Sequence, residues 1–250
     1  MNVDNPLETV YKQAGMAHPQ QRPAFNPWPS KLPSEVPDLK VLSISDKVIP
    51  FIYSPQVKTF FHDVDFVIAC GDLPYYYQEY LISVLNIPLF FVRGNHDPLI
   101  EYRESSQSYY PLGGIDLHRR VVFSQGVIIA GVEGSVRYNS REAFQYTQRE
   151  MWYHVFRLVP AMLMNRLLRG RFLDVFVTHA PPWGIHDESD FVHQGIKAFR
   201  WLLGTFKPRY HFHGHIHVYH PETVTETRFG ETAVINTYGY QTTDLDFSTE

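Results

Sequence analysis

The sequence predicts an α/β protein, and three observations carry that prediction. Short apolar runs, LKVLSIS (39–45), DFVIAC (65–70), IPLFFVR (87–93) and LDVFVTH (173–179), suit strands buried on both faces. Segments with helical spacing, PQVKTFFHDV and YYYQEYLISVLN, lie between the first three. Several runs end at once in a polar or Gly-rich turn. That layout gathers polar side chains at the carboxyl edge of a sheet, where open α/β folds bind ligands.

Taken in order, the elements are uneven in character. Residues 1–37 hold seven of the 18 prolines and cannot sustain a helix or a central strand. They read as a Pro-rich N-terminal arm, strapped over the surface through Phe25 and Trp28, and residues 38–250 read as the domain. VVFSQGVIIAGVEG reads as a hairpin turning near Gln125-Gly126. Residues 140–170 form the longest helical pattern, with Ser140 as N-cap, Gly170 at the end and a bend at Pro160. This helix is expected either to pack on the core or to form a helical cap or insertion over a substrate. Residues 189–204 read as helix. PRYHFHGHIHVY, TVTETRF and TAVINTYGY read as strands, with a sheet edge toward the C-terminus.

Bulk properties narrow the function. A chain of 250 residues buries a full core as one domain. The net charge of −4, without a Lys/Arg block, weighs against nucleic-acid binding through a large positive surface. Cys70 is the sole cysteine, so no intrachain disulfide forms, which fits a reducing cytoplasm; its apolar run marks it as a buried structural thiol. MNVDNPLETV lacks the charge and apolar stretch of a signal peptide, and no run is long enough for a transmembrane helix.

Seven residues at predicted strand ends read as one metal site: Asp46, Asp72, Asn95, His96, His179, His215 and His217. Taken singly, most are ambiguous, since an Asp after a strand often caps a helix. G-N-H-D is more specific, because Gly94 permits a tight turn that aims two adjacent polar groups into one space. In G-H-I-H, strand alternation would point His215 and His217 to the same side, where a shared cation suits two close imidazoles. The bland alternative for that pair is a strand with one buried and one exposed histidine. It has to explain all the strings together. Carboxylates, an amide and imidazoles suit Mn, Fe, Zn or a similar divalent ion.

The order D…GD…GNHD…H…GHxH, from about Leu39 to the C-terminus, resembles the calcineurin-like metallophosphoesterases. VTHAPPWGIHD and KPRYHFHGHIH are similar to that family's smaller phosphodiesterase-type members. The resemblance implies a four-layer β-sandwich of two mixed sheets flanked by helices. It also implies two divalent ions, Mn, Fe, Zn or Ni. Carried over by motif, Asp72 bridges the ions, Asn95, His179 and His215 complete the second site, and Asp46 and His217 hold the first. His96 sits by the leaving group, so His96, Asp72 and Asn95 are the expected catalytic set. One departure stands out: the family opens with D-x-H, and here the string is Asp46-Lys47-Val48. Valine cannot ligate, so the first ion is expected to bind more weakly.

The function implied is a metal-dependent phosphoesterase, a phosphodiesterase by resemblance, acting on a small phosphorylated substrate. A metal-bridging hydroxide would attack phosphorus while His96 protonates the departing oxygen. Arg93 and His186 are candidate substrate contacts, and Glu133 and Arg137 candidate cleft residues. His211 and His213 read as structural, His213 within reach of the ligand layer. The alternative is a non-catalytic, metal-containing binding or scaffold protein with a degraded first site. Oligomeric state is open.

Overall fold

The structure, a computed structural model, describes residues 38–102, 104, 106–139, 142–220 and 222–247. The Pro-rich arm and Ser140 lie outside the described residues. The strands, in chain order, are β1 (Leu39–Ser45), β2 (Phe66–Ala69), β3 (Leu89–Phe91), β4 (Glu101–Tyr102), β5 (Gln107–Ser108), β6 (Ile115–Asp116), β7 (Arg120–Ser124), β8 (Val127–Val132), β9 (Ser135–Val136), β10 (Gln145–Tyr146), β11 (Val175–Thr178), β12 (Tyr210–His213), β13 (Glu226–Phe229), β14 (Thr232–Asn236) and β15 (Gly239–Leu245). The helices are α1 (Val57–Phe60), α2 (Tyr75–Leu85), α3 (Gln148–Arg169) and α4 (Lys197–Phe206).

Two mixed sheets result. One has the order β15-β1-β2-β3-β6, parallel except for β15; the other runs β13-β14-β12-β11-β8-β7, parallel except at its two edges. Side-chain alternation explains why they stack. Leu39, Val41, Phe66, Ile68 and Phe90 of the first sheet meet Val127, Ile129, Val175, Val177 and Phe212 of the second in one buried cluster. The opposite faces carry Leu42, Ile44, Val67 and Leu89 against α1 and α2, and Ile128, Ala130 and Phe176 against α3 and α4. The layers therefore run helix, sheet, sheet, helix. A fully buried phenylalanine such as Phe212 contributes roughly 2–3 kcal/mol by burial, and its truncation would cost about 3–5 kcal/mol.

The long helix departs from the sequence reading at its start. It begins at Gln148, and Gln145–Tyr146 is strand. Thr147 caps it: the hydroxyl accepts from Glu150 N, and the Glu150 carboxylate accepts from Thr147 N. Upstream, the buried Gln145 amide oxygen accepts from Tyr138 N and Asn139 N, which pins the segment as a loop. The helix continues through Pro160 and ends at Gly170 with φ of 73°. Met151, Val155, Leu158 and Met162 join the core cluster of the second sheet, so α3 is a layer of the fold rather than a cap.

Two other corrections follow. Helix α4 starts at Lys197; residues before it form turns in which Asp190 accepts from Val192 N and His193 N. Strand β12 ends at His213, and His215 has φ of 67°. Strand alternation therefore does not govern His215 and His217. The hairpin at Gln125-Gly126 is present, with both residues at positive φ, and β7 pairs antiparallel with β8. The last strand crosses from the second sheet to the first, where β15 pairs with all of β1. On the way, Thr237 N donates to His213 O at 2.8 Å, drawing the His-rich loop toward the end of β1.

Candidate metal centre

The loops after β1, β2, β3, β11 and β12 converge at one end of the sandwich. Backbone geometry makes this possible. Asp46, Asp72 and His215 all take positive φ, at 62°, 56° and 67°, so each chain turns sharply as it leaves its strand. Close approach requires three glycines: a Cβ on Gly71 would collide with Gly94 N, one on Gly94 with the Asp72 carboxylate, and one on Gly214 with the Ser45 hydroxyl. Asp97, the last letter of GNHD, ties the loops. Its carboxylate accepts from Gly94 N at 2.7 Å, Leu73 N at 2.9 Å and Asp72 N at 3.1 Å. Burial, and then the neighbouring Asp72 charge, push the Asp97 carboxyl up to about 7.

Four donors then face one point. His179 Nε2 lies 3.2 Å from His215 Nδ1, 3.0 Å from Asn95 Oδ1 and 3.3 Å from Asp72 Oδ2. The far nitrogens are committed: His179 Nδ1 donates to Cys70 O at 2.8 Å, and His215 Nε2 to Val192 O at 3.1 Å. The neutral His215 ring held this way presents a lone pair inward, and His179 does so once an ion displaces its inward proton, the arrangement that orients metal-ligating histidines. Two nitrogens bound tetrahedrally to one ion are about 3.3 Å apart, so the spacing fits. Among the described residues, Asp72, His179 and His215 offer ligand atoms within 4.8 Å of one another. Burial opposes charge on both Asp72 and His179, but each stabilises the other's charged form; the carboxyl falls to about 2 and the imidazole rises to about 9.

The first half-site is thinner. Asp46 Oδ1 lies 4.0 Å from His217 Nε2, and the Asp46 carboxylate also accepts from His215 N at 3.1 Å. Burial lifts the Asp46 carboxyl above its ordinary range. Val48 packs against the apolar cluster beneath the first sheet and offers no donor. Lys47 is exposed.

His96 is exposed at the lip of the site, and its backbone N donates to Asp72 Oδ1 at 2.8 Å. Tyr138, which the sequence reading did not single out, accepts from Asn95 Nδ2 at 3.1 Å and lies 3.5 Å from His96 Nε2. That bond fixes the amide so that its oxygen faces His179. No local signal marks Tyr138; it arrives because the β9–β10 loop returns to the site.

Other expected residues are committed elsewhere. Arg93 is buried, donates to Glu133 Oε2 at 2.8 Å and stacks over Phe144, which places it inside the protein and not against a substrate. Glu133 is fully buried, also accepting from Tyr146 OH at 2.7 Å, so it is not a cleft residue. Arg137 pairs with Glu150. His186 has both nitrogens engaged, with His213 Nε2 and Thr227 Oγ1, each at 2.9 Å, which leaves neither for a substrate. His211 and His213 are buried, and His213 Nδ1 donates to Gly214 O at 3.0 Å beside the ligand loop. Burial raises the Cys70 thiol, as an inert structural role requires.

Stacked mixed sheets with carboxylate, amide and imidazole donors at their strand ends define a metal-dependent hydrolase class. The chain belongs to the calcineurin-like phosphoesterases, whose family model matches residues 42–219. Members of that family typically hold two divalent ions. No curated protein matches the chain significantly. Among solved structures, TT1561 of Thermus thermophilus is similar at 14% identity and TM-score 0.55, over 83% of this chain and 99% of that one. A second crystal structure is 16% identical with TM-score 0.54, over 83% and 95%. GAP50, the anchor in the inner membrane complex of Plasmodium, is 15% identical with TM-score 0.48, over 80% and 71%. The first two show the fold alone.

Proposed function

We propose that the protein hydrolyses phosphodiesters of small molecules. The observation that carries this reading is the convergence of Asp72, Asn95, His179 and His215 on one point, with His96 exposed above them. Asp72, Asn95, His179 and His215 would hold the second ion; Asp46, His217 and the shared Asp72 would hold the first. Divalent ions there would supply Lewis acidity and lower the pKa of a bound water, making a nucleophile available at neutral pH. Mn, Fe, Zn and Ni all suit this donor set.

The residues themselves do the rest. Asp72 would serve both ions, as the motif resemblance implies, and its Oδ1 accepts from His96 N, which couples the acid's loop to the ligands. His96 donates a proton to the departing oxygen. Asn95, oriented by Tyr138, keeps its amide oxygen on the ligand side. Preference for a diester rests on the VTHAPPWGIHD and KPRYHFHGHIH resemblance, and the pairing of Arg93 supports it. With Arg93 bound to Glu133, that arginine does not offset a dianionic monoester; a monoanionic diester demands less. A cytoplasmic setting fits the lone buried Cys70.

The metal-holding binding protein is kept as the second reading, because Val48 leaves the first half-site short of a ligand. Comparing bis(p-nitrophenyl) phosphate with p-nitrophenyl phosphate, in Mn²⁺-loaded protein, tests the proposal. Faster diester turnover is expected. Faster monoester turnover would sink the diesterase preference, and turnover of neither would favour the binding protein.

A further inference from the structure

Helix α3 buries one apolar face and exposes another. Met151, Val155, Leu158 and Met162 face the core. On the far side, Leu167 is 81% exposed, Leu168 58%, Tyr153 54%, Phe156 51%, Met164 50% and Leu163 49%. At helical spacing these form one stripe along most of the element. Soluble surfaces seldom show so many large apolar side chains together.

The charges beside the stripe are of one sign. Helix α3 carries Arg149, Arg157, Arg166 and Arg169, and its sole acid, Glu150, is paired with Arg137. No Asp or Glu occurs from residue 151 to 173, in a chain that has 26 acids against 22 Lys and Arg. At the rim near Phe156, the half-buried Trp152 and Trp201 lie with ring centroids 5.4 Å apart. Aliphatic side chains along a helix, flanking arginines and edge tryptophans are the composition of a helix that lies in a lipid interface.

We propose that α3 is a docking surface for an anionic lipid bilayer, with the Leu163–Leu168 stripe in the acyl boundary and the exposed Arg149 and Arg157 at the phosphate level. Charge selects this occupant over two others. A second copy packed face to face would oppose arginine to arginine with no acid on the stripe to pair them. Residues 1–37 hold three acids and three Lys or Arg, so they bring no net negative charge to the face. No helix among the described residues is long and apolar enough to cross a membrane. The contact would therefore be peripheral.

The test is co-sedimentation of the full chain with vesicles of equimolar phosphatidylcholine and phosphatidylglycerol, against pure phosphatidylcholine, at low and high salt. Binding to the anionic vesicles alone, weakened by salt, is expected, with a blue shift of tryptophan emission. L167D/L168D should lower that binding by about tenfold or more, and R149Q/R157Q should lower it too, both with unchanged circular dichroism. These positions are exposed, so the fold is not at risk. Absence of vesicle binding, equal binding to both vesicle types, or binding indifferent to L167D/L168D would each overturn the proposal. A dimer in the absence of lipid that L167D/L168D dissociates, without vesicle binding, would assign the face to a second copy instead.

Discussion

His179 Nε2 and His215 Nδ1 face each other at 3.2 Å, and the other nitrogen of each ring is held by a backbone carbonyl. His215 is neutral, so its inward lone pair faces a positive group: the His179 proton in the metal-free protein, or an ion that displaces that proton. Replacing either ring by alanine is therefore expected to abolish metal binding at the second half-site, with far-ultraviolet circular dichroism unchanged. Elemental analysis after dialysis checks this; retained metal in both variants would place the ion elsewhere.

The half-sites should fill unequally. Asp46 Oδ1 and His217 Nε2 stand 4.0 Å apart, and Val48, packed against the apolar cluster beneath the first sheet, offers them no donor. Calorimetric titration of metal-free protein with Mn²⁺ should give a tight step followed by a step weaker by about tenfold or more, since a lost protein ligand typically costs at least that much affinity. Val48→His should draw the steps together.

His96 is assigned to the leaving group because it is exposed above the ligands and its backbone, not its ring, binds Asp72. His96→Ala should keep its metal and lose about 100-fold or more in rate on esters with poor leaving groups. Esters of p-nitrophenol should suffer much less. Equal loss on both would point to a role in binding instead.

Tyr138→Phe removes the acceptor for Asn95 Nδ2 and the hydroxyl near His96. A fall in kcat of about fivefold is expected, the scale of losing one net hydrogen bond of roughly 1 kcal/mol, with stability nearly unchanged. Steady-state kinetics beside a thermal melt separates this from a folding defect.

His154 is buried in α3 with no hydrogen-bond partner at either nitrogen, and burial depresses its imidazole to about 4. Folded protein holds it neutral, while the unfolded chain protonates near the ordinary 6.5. The unfolded state thus binds more protons between those values, and stability falls as pH drops through that window. His154→Phe removes the penalty. Relative to the parent, the variant should gain about 2 kcal/mol between pH 7 and about pH 5 in urea unfolding. A difference that does not change with pH would show that His154 does not titrate this way.

Much of the site could be read from the chain because strand ends announce themselves. Asp46, Asp72, Asn95, His179 and His215 each follow an apolar run, and the sheets bring those ends together. Long-range pairing hid the rest. Asp97 serves one backbone donor on its own turn and two on the turn after β2, which its place in GNHD does not reveal. Arg93 looked available in one dimension and is taken by Glu133, 40 residues away. Strand alternation does not explain the positions of His215 and His217, since β12 stops at His213 and His215 turns at positive φ. At α3, a legible signal was passed over: the Thr147-x-x-Glu150 capping box marks the true start.

The most direct test of the central claim is turnover of bis(p-nitrophenyl) phosphate by metal-stripped protein resupplied with Mn²⁺, measured beside Asp72→Asn. Asp72 touches His179 and the His96 loop, so the cluster that would hold the second ion depends on it. The account predicts turnover that requires metal in the parent and is lost in the variant. Turnover that survives metal removal, or that Asp72→Asn leaves intact, would contradict it.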